Sequence, residues 1–86
     1  MNEIDLRIRY ARVNHLPNLT LRGMGLKVFP SPIWSLKGIR SLDLAGNELT
    51  ELPPNLGKLI DLEVLDLGND RLTSLPPEIG NLTGLG

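Results

Sequence analysis

A spacing of 23 residues recurs along most of this chain. The apolar positions Ile39, Leu42, Leu44, Leu49 and Leu52, followed by Pro53, return 23 residues later as Leu62, Leu65, Leu67, Leu72 and Leu75, followed by Pro76. Counting back by 23 gives Leu16, Leu19, Leu21, Leu26 and Phe29, followed by Pro30. The register continues through Ile33, Leu56 and Ile79, and through Leu36, Leu59 and Leu82, without an insertion. A period of this size marks an array of stacked units, because each unit has an apolar edge that it cannot bury alone. Leu42 and Leu44 are two residues apart, so on a short strand they point the same way. Pro53 and Pro76 stop the strand-side run and start a convex return segment.

The series Ile39-x-x-Leu42-x-Leu44-x-x-Asn47-x-Leu49 resembles the L-x-x-L-x-L-x-x-N-x-L pattern of leucine-rich-repeat proteins. The Leu-Pro-x-x-Ile/Leu-Gly ending resembles the intracellular, Ras-group-related class found beside GTPases, cyclases and kinases. The resemblance extends over roughly residues 2–86. It implies an α/β leucine-rich-repeat solenoid: a right-handed β-α superhelix with short parallel strands on its concave face and an N-terminal helical cap. The boundaries that follow are a cap at 1–15, repeats at 16–38, 39–61 and 62–84, and the start of a truncated repeat at 85–86. The resemblance also implies a non-catalytic protein–protein interaction module, a scaffold or adaptor in intracellular signalling. Two alternatives stand beside it. One is an accessory repeat region of a larger GTPase, kinase or cyclase. The other is a structural solenoid that self-associates through an uncapped C-terminal edge, where Leu72 and Leu75 would be bare.

An asparagine amide at the ladder position can donate to and accept from backbone at a tight bend. Only Asn47 matches; Met24 and Asp70 stand at the equivalent positions, and Asn69 is one residue out of register. An ionised Asp70 only accepts, so it marks a weakened rung of the ladder.

The N-terminal segment carries Leu6, Tyr10 and Val13 at i, i+4 and i+7, which predicts a helix with those residues on its packed face and Ala11 nearby. Ile4, Leu6, Ile8 and Tyr10 alternate as a strand would, but the Arg and Ala content favours the helix. Trp34 stands where the later repeats have Gly57 and Gly80, and it is expected to pack against this cap.

Exposed strand positions fall into columns. Asn18, Ser41 and Val64 form one; Thr20, Asp43 and Asp66 form the next; Arg22, Ala45 and Gly68 form the third. Asn18, Thr20, Arg22, Ser41, Asp43, Val64 and Asp66 are the candidate partner-binding residues, and a basic peptide or loop is the partner that Asp43 and Asp66 would attract. Charge is distributed unevenly: residues 1–40 carry seven basic groups against two acids, a net +5, whereas residues 41–86 carry two against eight, a net −6. Such asymmetry orients charged partners.

Other chemistries find little support. Asp43 and Asp66 invite comparison with paired catalytic acids, but repetition alone produces the pair. His15 has no Cys or Ser partner pattern, and Arg22-Gly23-Met24-Gly25 lacks the lysine of a phosphate loop. Asp43, Asp66 and Asp70 do not follow a calcium-loop spacing, so no metal or other cofactor is expected. Nucleic acid is a poor match for the acidic half, and the columns hold no aromatic residue for stacking. There is no cysteine, the N-terminus is too charged for a secretory signal, and no segment is long enough to span a membrane. A cytoplasmic protein with a protein partner is therefore the expectation.

Overall fold

The computed structural model describes residues 2–36, 38–73 and 76–77. Its elements, in order, are α1 (Glu3–Val13), β1 (Asn18–Thr20), a 3-10 helix at Ser31–Ser35, β2 (Ser41–Asp43), a second 3-10 helix at Pro54–Lys58 and β3 (Val64–Asp66). The strands form one parallel sheet in the order β1-β2-β3. Asn18 pairs with Ser41 and Ser41 with Val64, so each lateral step in the sheet equals one 23-residue unit. Hydrogen bonding between units runs well past the three-residue strands. Leu21 N donates to Asp43 O at 2.8 Å, Gly46 N to Gly68 O at 2.8 Å, Glu48 N to Leu26 O at 2.8 Å and Arg71 N to Leu49 O at 2.9 Å.

The inward positions make the core. Leu19 and Leu42 project inward from β1 and β2, joined by Leu21, Leu44, Leu49 and Leu56 from the turns and return segments. Leu65, Leu67 and Leu72 of the third unit are only partly buried against this core. Leu75, the other residue of the expected bare edge, lies outside the described residues. The first two return segments each tighten into a 3-10 turn preceded by proline, Pro30 in one case and Pro53 in the other. Proline's fixed φ suits the start of a helical turn, where its missing N–H leaves nothing unsatisfied.

Asn47 is 3% exposed and fully used. Its Oδ1 accepts from Met24 N and Leu26 N, both at 3.0 Å, and its Nδ2 donates to Leu21 O and Leu44 O, both at 2.9 Å. One side chain thus satisfies four backbone groups in two units. At Asp70 only Oδ1 is engaged, accepting from Leu49 N at 3.0 Å. Its Oδ2 is buried with no hydrogen-bond partner among the described residues. Asn69 acts through its backbone instead. With φ of 62° it takes the left-handed turn position that Gly23 (φ 66°) and Gly46 (φ 71°) hold in the earlier units. Asparagine tolerates that conformation better than other residues with a side chain.

The helix α1 packs against β1 and the first 3-10 helix. Asn2 caps its start, with Oδ1 accepting from Asp5 N at 2.8 Å. Its end is a Schellman-type closure: Leu16 N donates to Ala11 O and His15 N to Arg12 O, with His15 at φ 52°. The packed face differs from the expected one. Ile8 and Ala11 are each 2% exposed and Ile4 is partly buried, whereas Leu6, Tyr10 and Val13 are 52%, 64% and 62% exposed. Ile4, Ile8 and Ala11 also have i, i+4, i+7 spacing, so α1 carries two apolar stripes of the same period. Docking buries the stripe that contains the small Ala11, which lets the helix approach closely. The 23-residue register that linked Leu6, Tyr10 and Val13 to core positions does not carry over, because α1 is a true α-helix and the later return segments are 3-10 turns.

Trp34 has a partner beyond the expected one. Its ring stacks on Phe29, with centroids 4.8 Å apart and planes within 8°. Both rings line a groove with Val28, Leu52, Pro53 and Pro54, while α1 approaches this segment near Pro32. The indole therefore takes part in the junction of the first two units, on a 3-10 helix that also meets α1.

Candidate interaction surface

The parallel register brings the seven candidate residues onto one exposed side of the sheet, in aligned rows. Asn18, Ser41 and Val64 are partners across β1, β2 and β3, as are Thr20, Asp43 and Asp66. Asn18, Thr20 and Val64 are exposed, while Ser41, Asp43 and Asp66 are partly covered. Arg22 stands two residues beyond Thr20, in the column that continues as Ala45 and Gly68.

A three-residue network occupies the centre of this surface. Arg22 Nε donates to Asp43 Oδ2 at 3.0 Å, and Arg22 Nη2 donates to Asp66 Oδ2 at 3.0 Å. The other carboxylate oxygens are held by backbone: Asp43 Oδ1 accepts from Ala45 N and Asp66 Oδ1 from Gly68 N, each at 3.0 Å. One guanidinium therefore spans three units. A Cβ on Gly68 would sit 3.3 Å from Asp66 Oδ1, so a side chain there would crowd the carboxylate that Arg22 meets. The planar fork of arginine suits two carboxylates on adjacent strands, which a lysine ammonium would meet only as a point charge.

The network sets the local electrostatics. Partial desolvation works to raise the Asp43 pKa, but the Ala45 N–H and the Arg22 guanidinium outweigh it and hold the carboxyl below its ordinary value. The hydrogen bond to Asp43, reinforced by its charge, raises the Arg22 pKa. Two acids and one base leave the cluster with a single negative charge. Asp43 and Asp66 thus do not form a vacant acidic pair: a basic group reaching them has to displace Arg22. A second cross-unit pair, Arg40 Nε to Glu63 Oε2 at 3.6 Å, lies at the start of the strands.

Column membership was legible from the repeat alone. The bridging of Arg22 to acids 21 and 44 residues away was not. His15 serves the helix terminus. Among the described residues no group of three or more His, Cys, Asp or Glu side chains is placed to hold a metal ion, and no helix is long and apolar enough to cross a membrane.

Comparison with known proteins places this geometry. A family profile described as leucine-rich repeats in two copies matches residues 37–85, more than half of the chain. The chain is also similar to the solved structure of a leucine-rich-repeat protein of Leptospira interrogans, with 30% identity and a TM-score of 0.64. That similarity covers 90% of this chain but 26% of the Leptospira protein, so the chain spans about a quarter of its neighbour's length. A search of curated proteins gave no significant match. Repeats of this type are generally non-catalytic and mediate protein–protein interaction. The matched profile, the parallel α/β architecture and the asparagine bonded across two units agree: this chain belongs to the leucine-rich-repeat family.

Proposed function

We propose that this chain is a non-catalytic protein-interaction module, built as a short solenoid behind an N-terminal helical cap, that binds its partner through the concave strand face. The observation that carries this reading is the rigid register of the exposed columns, which presents Asn18, Thr20, Arg22, Ser41, Asp43, Val64 and Asp66 as one patterned surface. Rigid presentation lowers the ordering cost of binding. The partner is a protein segment with a basic side chain that exchanges with Arg22 on Asp43 and Asp66. That exchange is inexpensive, because exposed ion pairs contribute little net stability. A cytoplasmic signalling setting is part of the proposal and is supported by the resemblance to the intracellular repeat class. The alternative is an accessory segment within a larger GTPase, kinase or cyclase; the greater length of the Leptospira neighbour fits a segment of a longer repeat protein.

The test is selection of displayed peptides on the immobilised chain, followed by titration of the recovered peptides. Asp43→Lys with Asp66→Lys is expected to weaken binding at least tenfold while leaving the far-ultraviolet circular dichroism unchanged. Arg22→Ala should strengthen it. Equal affinity across the three proteins would place binding elsewhere.

A further inference from the structure

The outward stripe of α1 is an apolar feature that the packing of the described residues leaves uncovered. Leu6, Tyr10 and Val13 follow one another at helical spacing and are all exposed, and Leu16, just past the helix, is exposed beside them. Tyr10 forms a ridge between two depressions. One, of about 310 Å³, is lined by Leu6, Arg9, Val13 and Asn14 as well as Tyr10. The other, of about 180 Å³, runs between α1 and the edge strand β1 and includes Leu16. A ridge with a groove on each side is the surface on which a second helix seats its own side-chain rows. Contiguous exposed apolar surface of this kind marks an interaction site more often than scattered residues do.

Charge selects the occupant. Arg9 borders the stripe on one side, and Arg12, three residues on, lies farther round the helix in a depression that both share with Asp5. Two arginines against one carboxylate leave this margin with a net positive charge, and neither arginine forms an ion pair among the described residues. On the other flank Arg7 is already committed: it pairs with Glu3 at 3.1 Å and donates to the edge-strand carbonyl of Thr20 at 3.2 Å. The same contacts keep the helix from rolling. The surface is thus apolar in the middle and positive along one margin, within a half of the chain that carries a net +5. A symmetric pair of copies fits poorly, because the stripe is centred on residues 9 and 10 and a two-fold axis there brings the two Arg9 side chains together.

We infer that the outer face of α1 is a docking site for an acidic amphipathic helix of a partner protein, with apolar side chains in the grooves beside Tyr10 and carboxylates against Arg9 and Arg12. This site is separate from the strand face and does not depend on that face binding anything. Two synthetic amphipathic helical peptides with the same leucine pattern, one flanked by glutamate and the other by lysine, are the probes. They are titrated into the isotopically labelled chain and followed by amide chemical shifts. The glutamate peptide should bind at least tenfold more tightly, weaken with added salt, and shift the amides of residues 6–16. Arg9→Glu with Arg12→Glu should reverse the preference, and Leu6→Ser with Val13→Ser should abolish binding; all four residues are exposed, so the fold is not at stake. Equal binding of the two peptides, or shifts confined to the strand face, would overturn the inference. So would sedimentation showing that α1 is covered by a second copy, or binding to phosphatidylserine vesicles without binding to the acidic peptide.

Discussion

Asn47 and Asp70 hold equivalent places one unit apart and differ only in whether the second side-chain atom can donate. At Asn47 that atom donates to Leu21 O and Leu44 O. Shifting by 23 residues, the corresponding acceptors for Asp70 are Leu44 O and Leu67 O, yet an ionised Asp70 Oδ2 has nothing to offer them and lies buried without a partner among the described residues. Leaving a buried polar atom unsatisfied costs about 1–3 kcal/mol. Asp70→Asn should therefore raise the melting temperature, by about 4–8 °C for each kcal/mol recovered in a domain of this size. Asn47→Asp should lower it by a similar amount, and thermal unfolding followed by circular dichroism measures both. A second contrast concerns the turn at residue 46. Gly46→Ala should destabilise by about 1 kcal/mol or more, since alanine is strained at positive φ. Gly46→Asn should cost less, because Asn69 already takes this conformation at the equivalent position. Denaturant titration distinguishes the two variants.

At the scale of elements, α1 poses the main question, because its two apolar stripes have the same period and opposite fates. Burial separates them by energy. Ile8→Ala removes a side chain packed against the core and should cost about 2–5 kcal/mol. Leu6→Ala removes one that points to solvent and should stay within about 0.5 kcal/mol. Chemical denaturation of the two variants checks this directly, and a reversed order would mean that the helix docks on its other face. The strands pose no such ambiguity. Leu19, Leu42 and Leu65 alternate with polar or exposed neighbours on each strand, and a one-residue slip would drive Asp43 and Asp66 into the core.

The units are tied together by contacts that cross from one to the next, and the Arg22 network reaches 44 residues along the chain. Its acid Asp43 has a pKa lowered on folding. A group of this kind contributes stability that is complete above its unfolded value, about 3.9, and is lost as the pH falls through the lower folded value. The stability difference between the native chain and Asp43→Asn should therefore be level from neutrality down to about pH 5 and shrink below about pH 4. Thermal melts across that range provide the measurement, and a difference that grew on acidification would contradict the assigned shift. The charge contrast between the two ends belongs to this scale as well. A basic margin on α1 and a singly negative strand face give the molecule two surfaces that favour partners of opposite sign, so salt should weaken binding at both.

The repeat was fully visible in the order of residues: the unit length, the place of each strand, the inward leucines and the one complete ladder asparagine follow from local spacing. These are properties of neighbours along the chain, and stacking leaves little choice about them. The difference between Asp70 and Asn47 was legible for the same reason, because it is set by which atoms each side chain carries. The packed face of α1 was not, since Leu6-Tyr10-Val13 and Ile4-Ile8-Ala11 satisfy the same helical spacing and only docking against β1 and the first 3-10 helix selects between them. Nor was the reach of Arg22 or the stacking of Trp34 on Phe29. A long or bulky side chain settles according to the space and charge around it, and for Arg22 those are supplied by residues as far as 44 positions away.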